Sequence, residues 1–202
     1  MENQKEQKED LIKNVIPEKK ESLGQSVWEF VRFALIAIII VIPIRIFIAQ
    51  PFIVSGSSMF PTFENGQYLV VDEISYRLGD IKRDDVVVFH YPKDTTKFFI
   101  KRIIGLPGET VDIKGSDVII TNKEHPEGFT LSQPFVKNQS NDISHFVLNN
   151  DEYFVMGDNR SASSDSRYWG AVPRNLMVGK AFIRLLPVNK INILPGSYKQ
   201  AE

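Results

Sequence analysis

The chain contains no cysteine, which excludes disulfides, thiolate metal sites, a cysteine nucleophile and a lipid-modified cysteine anchor together. It also lacks an excess of either charge. The 24 Lys and Arg against 25 Asp and Glu leave a net charge of -1, with no concentrated basic face to meet a phosphate backbone. Nucleic acid is therefore not an expected partner. Neither an internal repeat nor a low-complexity segment is present, which removes solenoids and arrays from consideration. At 202 residues the chain has room for one modest domain plus an appendage. With 43% hydrophobic and 24% charged residues, values ordinary for a globular protein, any distinguishing feature must be local.

The first such feature runs from Phe33 to Ala49, FALIAIIIVIPIRIFIA, interrupted only by Pro43 and Arg45. A helix of roughly 17–25 apolar residues crosses a bilayer core of ~30 Å. Arg45 lies near the C-terminal edge, where its long side chain can carry the charge to the headgroups. A cleaved leader would end in small residues, yet this segment exits through Phe47, Ile48, Ala49, Gln50 and Pro51. A buried core helix would carry a polar stripe, and none lies between Ala34 and Ile44. The expectation is a single-pass anchor at residues 30–50, preceded by a mixed-charge tail at 1–29. Lys13, Lys19, Lys20 and Arg32 precede the apolar run and no Lys or Arg occurs between Ile46 and Tyr76. That bias puts the N-terminus in the cytoplasm and residues 51–202 outside, at the cell membrane.

Beyond the anchor, short runs of β-formers alternate with turn signals, so the expected fold is mostly β. Candidate strands are Tyr68–Val71, Val86–His90, Phe98–Ile104, Thr110–Ile113, Val118–Thr121, Tyr153–Met156 and Gly179–Leu185. Asn65-Gly66 and Leu78-Gly79-Asp80 read as turns, and Leu106-Pro107-Gly108-Glu109 suits a type II turn. The polar stretch from Asn122 to about Asn150, with Pro126, Gly128 and Pro134, reads as an excursion from the main sheet. A small insertion over about 111–150 is expected from it.

Three segments carry candidate chemistry. Val54-Ser55-Gly56-Ser57-Ser58-Met59-Phe60-Pro61-Thr62 taken alone is a loop. Its position gives it meaning, because roughly nine residues at ~3.6 Å each hold Ser58 within about 30 Å of the bilayer. Lys101 sits in FFIKRII, where strand alternation sets it on one face with Phe99 and Ile103. Desolvation there would lower its pKa and make a general base of it. The competing reading is a lysine guarding an exposed strand edge. His90, His125 and His145 offer no comparable partner, and a G-x-S-x-G elbow is missing. In the third segment, Gly157 to Gly170, Arg160 stands where a calcium loop needs an oxygen ligand, so no metal is expected. Asp158 with Arg160, and Asp165 with Arg167, instead read as internal ion pairs fixing an irregular loop.

Together the segments resemble the type I signal peptidase family: S-M-x-P-T at Ser58–Thr62, K-R-x-x-G-L-P-G-E at Lys101–Glu109, and G-D-N-R-x-x-S-x-D-S-R at Gly157–Arg167. Asp85 to Pro92 is similar to the family's strand before the lysine. The likeness runs from the anchor to about Gly170, in the short, single-anchor form typical of Gram-positive bacteria. It implies a membrane-bound serine endopeptidase with a β-rich catalytic domain and no cofactor. Its partners would be the bilayer and secretory preproteins, cut after small residues in Ala-x-Ala-like sites. Ser58 would be the nucleophile, with Ser57 its rival by proximity, and Lys101 the general base. Ser163 would orient the lysine amine, and Asp158, Arg160, Asp165 and Arg167 would be scaffold. The Ser58 backbone N–H would meet the oxyanion. Gly56 replaces a serine that supplies a second donor in some members. Val54, Met59, Phe99 and Ile100 would line the substrate pockets, and Phe52, Ile53 and Phe60 could dip into the lipid interface. Two other readings share these features: a self-cleaving repressor-type Ser–Lys protease, which the span disfavours, and an idle anchored β-domain used for binding or assembly.

Overall fold

The computed structural model describes residues 23–43 and 49–198. Two compact units divide at Pro43 and Ile44. The first contains helix α1, Leu23–Pro43. Its first half carries Glu29 and Arg32, and its large apolar side chains, among them Phe30, Phe33 and Ile39, are exposed. No helix among the described residues is long and apolar enough to cross a membrane. The expected span is described only as far as Pro43, and Ala49–Gln50 at its far end open strand β1 instead. Arg45 and most of the tail lie outside the described residues.

The second unit is built on β-strands. In chain order these are β1 Ala49–Ile53, β2 Tyr68–Asp72, β3 Val86–Tyr91, β4 Asp94–Gly105, β5 Thr110–Lys114, β6 Asp117–Thr121, β7 Phe129–Thr130, β8 Ile143–Val147, β9 Glu152–Met156, β10 Val172–Pro173, β11 Met177–Leu186 and β12 Asn192–Ile193. Short helices α2 Ile74–Leu78 and α3 Ser166–Trp169 sit between strands. The main sheet runs β1-β2-β11-β3-β4-β9-β10, with β12 added to β11. A second, four-stranded sheet runs β7-β6-β5-β8. The polar stretch after Asn122 thus supplies two edge strands that its composition conceals, since β8 shows one face to solvent.

Sequence pattern explains the placement of the central strands. Val86, Val87, Val88 and Phe89 are apolar on both faces, and all four are buried, as a mid-sheet strand requires. β5 and β6 alternate instead, burying Val111, Ile113, Val118 and Ile120 against Phe154, Met156 and Leu148 beneath the second sheet. The turn between β4 and β5 closes with Glu109 N donating to Leu106 O, and Gly108 takes φ +75, the value type II geometry demands at its third position. A separate apolar cluster of Val54, Met59, Phe63, Leu69, Val86 and Ala181 supports the loop that carries Ser58.

Candidate active site

β3 and β4 pair with Val87 opposite Lys101, so a strand buried on both faces fixes the lysine's backbone. Its side chain is 4% exposed. Nζ donates to Ser58 Oγ at 2.8 Å and to the Ile100 carbonyl at 2.8 Å. The Phe99 ring lies 5.3 Å from Nζ. Burial pushes the Lys101 ammonium from 10.5 down to about 8, against the opposing pull of Asp165 and Asp158. Desolvation wins because neither carboxylate touches the amine: both spend their oxygens on other partners.

Those partners build the site. Arg102, next along β4 and fully buried, grips Asp158 through Nε at 2.8 Å and Nη2 at 2.6 Å. It also donates to the Asp84 carbonyl at 2.9 Å and stacks on Phe135 at 3.9 Å. Thr62 Oγ1 donates to the same Asp158 at 2.5 Å, tying the serine loop to the Gly157 loop. Asn159 completes that tie, its N–H donating to the Ser58 carbonyl at 3.0 Å and its Nδ2 to the Ser57 carbonyl at 3.1 Å.

Two expectations about this loop need correction. Asp158 pairs with Arg102 and not with Arg160, because Arg102 brings a two-pronged fork from the adjoining strand. Arg160 turns its Nε to the Gly157 carbonyl at 3.0 Å instead. Its Nη2 is buried without a partner among the described residues, and burial lowers its pKa to about 10. The expected hydrogen bond from Ser163 to the lysine amine is also not made. Ser163 Oγ is buried and unpartnered, while the Ile100 carbonyl takes the amine's second hydrogen. Asp165 does pair with Arg167, at 2.8 Å, and accepts from Gly157 N–H at 3.0 Å. Arg167 reaches on to Asp142 at 2.5 Å, clamping the polar excursion to the loop.

A cleft of about 440 Å³ opens beside the pair, lined by Phe52, Val54, Leu69, Val88, Phe99 and Ile100 among others. Met59, expected on its wall, is 1% exposed and packs in the core below. Phe98, which also lines the cleft, packs edge-on against Phe52 at 5.2 Å. Ile53 and Phe60 are exposed. Arg102, Asn159, Thr62 and Gly157 stand in the quoted motifs but carry no assigned role there; the structure supplies their contacts. A Cβ on Gly157 would lie 2.4 Å from the Ser58 carbonyl oxygen and 2.3 Å from Ser163 Oγ, so nothing larger fits. The signal for Arg102 was a charge inside an apolar strand, which burial without a partner would forbid.

A dry amine against a serine hydroxyl, above an apolar cleft in a β-rich domain, suits a serine hydrolase. The model of the family described as "Signal peptidase, peptidase S26" matches residues 27–186, and the chain belongs to that family, whose members are serine peptidases. It is 37% identical over 194 residues to "Probable signal peptidase I-2" of Synechocystis sp., with 91% of this chain and 86% of that one covered. Against "Signal peptidase I" of Bacillus amyloliquefaciens the identity is 35%, covering 79% of this chain and 86% of the relative. A solved signal peptidase I from Enterococcus faecalis V583 aligns at 29% identity with a TM-score of 0.42, over 50% of this chain and 96% of that one.

Proposed function

We propose that this chain is a membrane-anchored signal peptidase that removes N-terminal signal peptides from secreted preproteins after small residues, using Ser58 as nucleophile and Lys101 as general base. The observation that carries the reading is the 2.8 Å contact between Nζ and Oγ around an amine that burial brings to about 8. At that value a useful fraction of the amine is neutral near pH 7, and one lost proton reverses the contact so that Oγ–H donates to nitrogen. Oγ then attacks the scissile carbonyl, and its proton passes to Nζ. The ammonium returns that proton to the leaving amine, and water activated by the same nitrogen releases the acyl group from Ser58.

The developing oxyanion would meet the Ser58 backbone N–H, a preorganised donor of the kind worth ~3 kcal/mol of barrier. Gly56 offers no side-chain hydroxyl as a second donor. Ser163, buried beside Gly157 and making no hydrogen bond to the amine, is given no part in the proton transfer; the Ile100 carbonyl orients the amine instead. Asp158, Asp165 and Arg167, with Arg160, hold the loop. An extended substrate would lie in the cleft as an added strand, its first and third residues before the bond facing Val54, Phe99 and Ile100. The apolar run that begins at Phe33 and ends before strand β1 serves as the anchor, oriented with the N-terminus in the cytoplasm by the preceding Lys and Arg residues.

The test is cleavage of a preprotein carrying an Ala-x-Ala site by purified protein in detergent. Ser58→Ala and Lys101→Met each abolish it. Full activity of the Lys101→Met enzyme at neutral pH sinks the assignment of the base.

A further inference from the structure

A second cleft of about 380 Å³ lies beyond the first, lined among others by Gln50, Glu73, Arg77, His90, Phe98 and Arg174. Phe98 lines both clefts, packed against Phe52 on the catalytic side and 4.5 Å from the His90 ring on the other. Three segments lead from one cleft to the other. β1 passes from Val54 to Gln50, β2 and its exit from Leu69 to Glu73, and β3 from Val88 to His90. The two clefts are therefore compartments of one groove, separated by an aromatic rung. Their chemistry differs sharply. The first is mostly apolar, whereas the second holds two guanidinium groups, an imidazole and a carboxylate.

These groups are held in place. Glu73 is 4% exposed; one carboxylate oxygen accepts from Arg77 Nη2 at 2.9 Å, and the other is buried without a partner among the described residues. Arg174 donates to the carbonyls of Tyr76 and Gly79. His90 Nδ1–H donates to the Thr95 carbonyl at 2.7 Å, which leaves Nε2 as its remaining polar atom. A lone ammonium entering here meets two like charges, and an aliphatic side chain leaves these polar groups desolvated without compensation. A carboxamide answers both, accepting from a guanidinium and donating to the carboxylate.

We propose that this second cleft is a substrate subsite that receives the side chain of the fifth residue before the scissile bond and selects a carboxamide there. The inference rests on the peptidase reading above. The step from Val54 to Gln50 covers roughly 13 Å of strand, which an extended peptide spans between its first and fifth residues. The strand period of two puts the side chains of the first, third and fifth residues on one face. In the reading above the first and third residues before the bond occupy the apolar cleft beside Ser58, so the chain that continues past the third residue reaches Gln50 and the second cleft.

Three preprotein peptides with Ala at the first and third positions, carrying Gln, Leu or Lys at the fifth, test this with the full chain in detergent. The Gln peptide is expected to be cleaved with about five-fold higher kcat/KM than either other, the worth of one partly exposed hydrogen bond. In the Glu73→Leu/Arg77→Met variant, which removes both members of the ion pair and leaves no polar side chain at position 73, the preference for Gln over the other two peptides is lost. Equal kcat/KM for all three with the unaltered enzyme overturns the subsite while leaving the peptidase reading intact. If none of the three is cut, the proposed function falls and the subsite falls with it. Should the double variant fail to fold, the substrate series alone decides.

Discussion

Replacing Gly157 by alanine adds one methyl group at the point where the serine loop and the Gly157 loop touch. The built Cβ would sit 2.4 Å from the Ser58 carbonyl oxygen, 2.3 Å from Ser163 Oγ and 2.6 Å from Ser163 Cβ, where ordinary contact begins near 3.4 Å. The Ser163 hydroxyl can rotate away. The Ser58 carbonyl cannot, because it is main chain and is held by Asn159 N–H at 3.0 Å. Relief therefore requires about 1 Å of separation between the loop bearing Ser58 and the strand end behind it. A misplacement of that size in a reacting pair costs on the order of 100-fold, and overpacking adds ~1–3 kcal/mol of destabilisation. The expected result is a folded Gly157→Ala protein, seen as a cooperative thermal transition, with kcat for preprotein cleavage down about 100-fold. The Gly157→Ala/Ser163→Gly enzyme removes the clash with Ser163 and keeps the one with Ser58, so it stays slow. A Gly157→Ala enzyme within two-fold of the parent, or recovery in the double variant, refutes this account of the glycine.

Two further outcomes follow from the buried charges. Since burial lowers the Lys101 pKa to about 8, the neutral base is the minor form below that pH and the major form above it. kcat/KM should climb tenfold per pH unit on the acid side and level off above about 8, whereas a profile flat from pH 6 to 10 contradicts the assignment. Asp158→Asn leaves the fully buried Arg102 guanidinium without its counter-charge. Chemical denaturation should report a loss of about 3–5 kcal/mol, and a loss under 1 kcal/mol would mean that water reaches the arginine.

The extent to which the site was legible depends on the kind of signal each residue sends. Ser58 and Lys101 stand in short motifs whose spacing is local, and a lysine flanked by Phe99, Ile100 and Ile103 announces its own desolvation. The Asp165–Arg167 pair lies within one loop and was legible for the same reason. Asp158 reads as the partner of Arg160 because proximity in sequence is the only proximity a sequence displays. Its true partner, Arg102, arrives on β4. Met59 looked like a pocket residue by its place beside Ser58, yet backbone direction turns it into the core with Phe63 and Leu69.

Strands β2 to β6, β9 and β11 and the apolar run after Phe33 were legible in local pattern, because period, turn chemistry and hydropathy are properties of neighbours along the chain. Tertiary structure alone decided which carboxylate holds which arginine, why residue 157 must be glycine, and that Gln50, Glu73, His90 and Arg174 share one cleft. Those facts depend on distances between segments far apart in sequence, and such distances exist only once the sheet has brought them together.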